Sequence, residues 1–388
     1  MKIPIIYNWR SILARPLTTA LTILGIALVV FVFAAVLMFA NGLKRTLVST
    51  GDKDNAIFLR KGADSEISSI IARDQYNILK TQPEVAAAAD GTPLVAGELV
   101  VVNNIPKRAN NKPSNVCVRG VGKESLAMRS RVRLIEGTMW RPGIPEIIAG
   151  VEAAKRFQGC GMGEHVKMGG REWTVVGIFE ANGTGFESEL WGDVEQFMDA
   201  FERPIFSSIT MRMKDPSGFE EMKKRIESDP RLTVTAKREQ QFYEEQSKNL
   251  GLFVRVLGLS ITIMFSLAAV TGEVITMYSA IANRSTEIGT LRALGFRRRS
   301  ILASFLIECV LISVIGAVLG LILASLLQFI NISTMNFQSF SEVAFRFALS
   351  LRIVVSSLLF SLIMGIIGGM APAVRASRMK VVNALRAV

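Results

Sequence analysis

Four long apolar runs constrain this chain more than any other feature. Leu17–Ala40, "LTTALTILGIALVVFVFAAVLMFA", holds no charge in 24 residues; as a helix it is about 36 Å long, against roughly 30 Å of bilayer hydrocarbon. Val256–Ala282 contains only Glu273, Ile301–Ile330 only Glu308, and Ile353–Ala371 no charge at all. The spacing predicts four transmembrane helices, at 17–40, 251–282, 301–330 and 352–371. The first run exceeds the roughly 7–15 apolar residues of a cleavable signal, and no clear A-x-A site precedes Asn41, so the helix is expected to remain.

A net charge of +12 would suggest nucleic acid if it were spread over a soluble domain. It is not spread. Met1–Pro16 carries Lys2, Arg10 and Arg15; 283–300 carries Arg284, Arg292, Arg297, Arg298 and Arg299 against Glu287; 372–388 carries Arg375, Arg378, Lys380 and Arg386. Residues 41–250 are nearly neutral, with 30 Lys/Arg and 29 Asp/Glu. The excess therefore flanks membrane, and nucleic acid is not expected as a partner. The positive-inside rule puts both termini and the 283–300 turn in the cytoplasm, with 41–250 and the short 331–351 loop outside. The stretch "IIYNWRSILA" within 1–16 reads as an interfacial amphipathic helix, with Trp9 as anchor.

The fold class that follows is a membrane protein with one-plus-three helices and a large α/β extracytoplasmic domain inserted between the first two. Strands are expected in "NAIFLRKGAD" and "GELVVVNNI", and a helix between them from the spacing of Ile67, Ile70, Ile71 and Ile78. From about Arg131 short strands are broken by glycines; then a helix over Gly218–Ser228 and a strand over Leu232–Thr235 are expected. We parse a porter-like α/β subdomain, 41–130 and 205–250, around an inserted β-rich subdomain of about 131–204. The helical stretch "REQQFYEEQSKNLGLFVRV" runs directly into the second span.

Catalytic chemistry is sparse. The one histidine, His165, sits in a glycine-rich turn without Cys or acidic neighbours in sequence and reads as a solvated loop residue, and no metal site is expected. "GVGKES" (Gly120–Ser125) fails as a P-loop, because Glu124 occupies the Ser/Thr position and the leading glycine is absent. Cys117 and Cys160 could pair or remain two small residues; Cys309 lies in a membrane run. Glu273 and Glu308 are intramembrane carboxylates, for which structural helix-packing roles are favoured over an ion relay. Gly316 and Gly320 form a GxxxG, and Gly365, Gly368 and Gly369 cluster in the last span, as close helix contact requires.

"STEIGTLRALG" (Ser285–Gly295), "FLIECVLISVIGAVLGLILA", "APAVRASRMKVVNALRA" and the N-terminal "RPLTTALTILGIALVV…NGLKRTLVS" together resemble the permeases of the MacB/FtsX type of ABC transporter. The resemblance covers essentially the whole chain and extends to the one-plus-three layout. It implies a permease of a bacterial cytoplasmic membrane, working as a dimer with itself or a paralogue and with two cytoplasmic ABC ATPases, ATP and Mg²⁺ lying on those partners and not on this non-catalytic chain. MacB itself carries a fused ATPase; here a separate one is expected. The segment with Arg284, Thr286, Glu287, Ile288, Gly289, Leu291, Arg292, Ala293, Leu294, Gly295 and Phe296 becomes the coupling helix. Ile288, Leu291 and Leu294 are available to fill a groove, Arg284 and Glu287 to pair, and Gly295 to stop the helix. A plain basic loop would explain the arginines but not these ordered apolar positions. In this family ATP-driven motion is transmitted mechanically to the outer domain. MacB-like tripartite efflux, with a periplasmic adaptor and an outer-membrane channel, is the preferred function; Lol-like extraction of lipoproteins or lipids from the membrane and FtsX-like signalling to a cell-wall hydrolase are the alternatives.

Overall fold

The structure, a computed structural model, describes residue 10 and residues 14–336 and 338–379. The expected interfacial helix with Trp9 falls largely outside the described residues, as does the tail beyond Met379. The elements, in chain order, are α1 (Pro16–Thr50), β1 (Asn55–Arg60), α2 (Arg73–Lys80), β2 (Val95–Pro106), β3 (Pro113–Val121), α3 (Lys123–Met128), β4 (Arg133–Gly137), β5 (Glu146–Gly150), α4 (Val151–Arg156), β6 (His165–Met168), β7 (Arg171–Glu180), β8 (Glu189–Asp193), α5 (Val194–Ala200), β9 (Ser208–Arg212), α6 (Phe219–Ser228), β10 (Val234–Arg238), α7 (Glu239–Asn283), α8 (Ser285–Ala293), α9 (Arg298–Ser325), β11 (Asn331–Asn336), β12 (Ser341–Arg346) and α10 (Leu351–Arg378). They divide into two compact units.

The membrane unit comprises residues up to Gly42, Leu252–Ile330 and the chain from Arg346. Four helices, α1, α7, α9 and α10, are long and apolar enough to span a bilayer, the third with a closing 3₁₀ turn at Leu326–Phe329. Ser350 starts α10 by accepting the Ile353 N–H on its side chain, which satisfies one of the first-turn donors. That helix runs past the expected end at Ala371 to Arg378, because a single missing donor at Pro372 is tolerated inside a packed bundle. Ile26, Val30, Ala34 and Met38 of α1 bury against Ile312, Ala317 and Leu321 of α9.

The sheet unit holds Leu43–Gly251 and, from between the last two spans, Asn331–Phe345. Its sheet has ten strands in the order β10-β1-β9-β2-β3-β8-β5-β7-β4, with β6 on β7. All pairings are antiparallel except β3–β8 and β5–β7. Alternation sends Ala56 and Phe58 of β1 into one core, with Leu99, Trp173 and Ile209, and Ile57 and Leu59 into the other, with Trp191 and Phe242. Each fully buried Ile, Leu or Phe side chain among these contributes roughly 1.5–3 kcal/mol.

Three expectations change here. The strands of 131–204 are not a separate insert but continue the same sheet, since β3 pairs in parallel with β8, Cys117 opposite Glu189. The helix expected around Ile67–Ile78 forms only at Arg73–Lys80; Ile71 instead makes a β-bridge with Phe206, which outweighs local helical spacing. The 331–351 loop contains a hairpin, β11–β12, that belongs to the sheet unit: the Ala344 N–H donates to Ser188 Oγ (3.0 Å) and Ser114 Oγ to Glu342 (2.5 Å).

Candidate functional site

The basic turn of the membrane unit is a short helix held against the bundle. α7 ends at Asn283, Arg284 leaves helical geometry, and α8 follows at once. Arg284 is 7% exposed. Its Nε donates to Glu287 (3.0 Å) and its Nη1 to Glu308 of α9 (3.3 Å), while its guanidinium lies over the Phe305 ring. A guanidinium suits this place because its planar fork bonds two carboxylates at once.

α8 stops through a Schellman arrangement. Gly295 has φ +91°, its N–H reaches Arg292 O (3.1 Å), and the Phe296 N–H reaches Leu291 O (3.1 Å). A Cβ at that φ is strained, so glycine is required by geometry.

The placement of the apolar residues departs from expectation. Ile288 is 2% exposed and packs with Met277, Ile281, Ile301, Phe305 and Ala373 of its own bundle, so it cannot fill a partner's groove. Gly289 is buried beside it, and Leu291, Arg292 and Phe296 are half-buried. The free face carries Thr286, Glu287, Thr290, Ala293 and Leu294, the last 66% exposed. The reason is angular: at 100° per residue, positions three and six along the helix rotate progressively away from Ile288.

The five singled-out glycines all lie at helix contacts. A Cβ on Gly316 would come 2.8 Å from the Ile26 side chain, and one on Gly320 2.5 Å from Ala27 O, both on α1. Gly365 and Gly369 face Ser313 and Cys309 of α9, where a Cβ would collide, and Ser361 Oγ donates to Ser313 O (2.8 Å). Glu273 is 2% exposed and lies against Gly368, whose Cβ would come 2.5 Å from Oε2.

Sequence reasoning missed a buried charge network in the sheet unit. Arg119 of β3, 2% exposed, bonds Glu66 (2.8 Å), Glu98 of β2 (2.9 Å) and Glu189 of β8 (2.8 Å). Arg129 bonds Glu98 (2.8 Å) and stacks over Phe186. Burial alone would push the Glu98 carboxyl up, but Arg129 and Arg119 outweigh it and hold it down at about 2. Burial works against Arg119's charge too, yet Glu189 and Glu66 raise its pKa well above normal. The available signal was a lone charge inside each apolar strand run, "AGELVVV" and "VCVRGV".

His165 is exposed, with Nδ1 3.1 Å from Thr174 Oγ1. Cys117, Cys160 and Cys309 are free and buried. No cluster of metal-binding side chains occurs among the described residues. "GVGKES" bridges the end of β3 and the six-residue α3.

Residues 19–229 match the family model of the MacB-like periplasmic core domain and 259–381 that of the FtsX-like permease C-terminal. The macrolide export ATP-binding/permease protein MacB of Burkholderia pseudomallei (strain 1710b) is 23% identical over 97% of this chain and 59% of its own length. The protein of that name from Escherichia coli is 25% identical over the same shares. The chain thus spans less than two thirds of these relatives. The crystal structure of the periplasmic region of MacB from Actinobacillus actinomycetemcomitans aligns with 51% of this chain and 95% of its own at 11% identity, with a TM-score of 0.38. With both halves of its length matched in this order around four membrane helices, the chain belongs to the MacB/FtsX-type family of ABC transporter permeases.

Proposed function

We propose that the chain receives ATP-driven motion from a cytoplasmic ABC ATPase at α8 and passes it through α7 to the sheet unit, in the service of MacB-like export. One observation carries this reading. α8 is fixed from behind by Ile288 and by Arg284, which also holds Glu287, and is closed by Gly295, yet leaves Thr286, Thr290, Ala293 and Leu294 exposed. A helix buried on one face and free on the other is built to be pushed. α7 suits transmission, since its 45 residues form one continuous helix whose sequence contributes to both units. The termini and α8 face the cytoplasm on this reading, as their arginines favour. The working unit is a dimer of this chain with itself or a paralogue, joined by two ATPases that hold ATP and Mg²⁺, and by a periplasmic adaptor and an outer-membrane channel. The match to the MacB-like periplasmic core over 19–229 favours export over FtsX-like signalling.

The test is co-purification from native membranes in mild detergent, with the ABC ATPase identified by mass spectrometry and by ATP hydrolysis. Ala293→Asp and Leu294→Asp, both at exposed positions of α8, are each expected to lose the ATPase while the chain stays folded. Retention of the ATPase by both variants would remove α8 as the coupling element.

A further inference from the structure

The sheet unit contains a cavity that the coupling reading does not use. It measures about 250 Å³ and is lined by Arg73 and Tyr76 of α2, Gly97 of β2, Glu124 of α3, Glu195 of α5, and Phe206. Its aromatic wall is made possible by a missing side chain. A Cβ on Gly97 would come 2.5 Å from the Phe206 ring, so glycine lets that ring pack directly on β2. Tyr76 sits beside it, ring centroids 5.1 Å apart, and is held by its phenol donating to Val95 O (3.2 Å).

The charges around this wall are unequal in their satisfaction. Arg73 is paired with Glu195, and its guanidinium lies 5.7 Å from the Phe206 centroid, so one ring already has a cation near it. Lys80 is 5.8 Å from the Tyr76 centroid. The Glu124 carboxylate has neither an ion pair nor a hydrogen bond among the described residues. Its charge reaches the wall: burial first, then the Glu124 carboxylate, raises the Tyr76 phenol above its ordinary pKa. Lys80 is not among the lining residues, so with Arg73 paired to Glu195 the lining itself is left with the one negative charge of Glu124 beside apolar surface.

We propose that this cavity binds an organic monocation carrying a flat apolar group, an arylalkylammonium in chemical class, with its ammonium on Glu124 and its ring against Tyr76 and Phe206. Aromatic side chains supply contact area and a negative π-face, and the carboxylate supplies a charge-assisted bond that fixes orientation. Neutral ligands of the same shape lose that bond, and anions are repelled by the same carboxylate. The site is independent of ATPase docking, because binding here needs no partner.

The experiment uses the full chain in detergent micelles and two probes of matched shape, 2-phenylethylammonium chloride and neutral 2-phenylethanol, followed by ligand-observed NMR and calorimetry. The ammonium is expected to bind about tenfold tighter than the alcohol, and Glu124→Gln to bring it down to the level of the alcohol with unchanged thermal unfolding. Phe206→Leu is expected to weaken both probes. Equal affinity for the two probes in the native chain overturns the proposal, as does unaltered ammonium binding in Glu124→Gln or an absence of saturable binding at millimolar concentration.

Discussion

Arg119 and Arg284 are both buried guanidiniums shared between carboxylates, yet they sit in units that solve the problem of an interior differently. In the sheet unit water drives apolar residues inward, so a large aromatic and aliphatic core can carry three carboxylates converging on Arg119 from Glu66, β2 and β8. In the membrane unit the surroundings are as apolar as leucine, so helices associate by close approach, and the contacts are made at Gly316, Gly320, Gly365 and Gly369 with hydroxyls such as Ser313 and Ser361. Arg284 lies at the edge of the bundle, where Glu287 is half exposed. Buried ionisable groups in one unit converge on a position within a sheet; in the other, Arg284 and Glu308 pair at the end of the apolar zone, while Glu273 sits within it against Gly368.

This contrast can be broken most directly at Arg119. Arg119→Met leaves Glu66 and Glu189 without their guanidinium partner and Glu98 with Arg129 alone, and is expected to destabilise the sheet unit by about 3–5 kcal/mol. Thermal unfolding of the full chain, read by tryptophan fluorescence to which buried Trp173 and Trp191 contribute, checks it. Next comes acid. The folded Glu98 carboxyl is held at about 2, below the ordinary 4.5. Its contribution is therefore complete above about pH 4.5 and is lost as pH falls toward 2, roughly 3 kcal/mol in all. Glu98→Gln should flatten that part of the acid profile, and an unchanged profile would place the acid sensitivity elsewhere. A smaller effect is expected in the membrane unit, where Gly365→Val forces α9 and α10 apart at Ser313 for about 1–3 kcal/mol, visible as earlier unfolding in detergent with the sheet unit intact. Smallest is Leu294→Asp, within about 0.5 kcal/mol on stability, because the residue is exposed. A large loss of stability there would show that the α8 face is already occupied within the bundle.

The sequence made some of this legible and hid the rest for physical reasons. Uncharged length identifies membrane helices without knowledge of partners, and Gly295 reads as a stop because backbone geometry is local. The side of α8 that faces its own bundle is not local. Ile288, Leu291 and Leu294 look alike as apolar spacing, and only the surrounding Met277, Phe305 and Ala373 decide that the first is core and the third is surface. The same limit applies to the sheet. "VCVRGV" and "ELWGD" give no hint that they are neighbours, since strand pairing across some seventy residues leaves no trace in either run. Glu66, Glu98, Arg119 and Glu189 become one network only through that pairing.

The position of β1 has a consequence for how the chain is made. Five of its six residues are buried, and its only partners are β9 and β10, some 150 to 180 positions further along. Loop-closure entropy makes such distant pairings slow to form. While the chain is being synthesised, Asn55–Arg60 therefore emerges with both edges open and stays so until Arg238 has followed. During that interval its open, apolar edges invite mispairing, and a folding helper has reason to cover them.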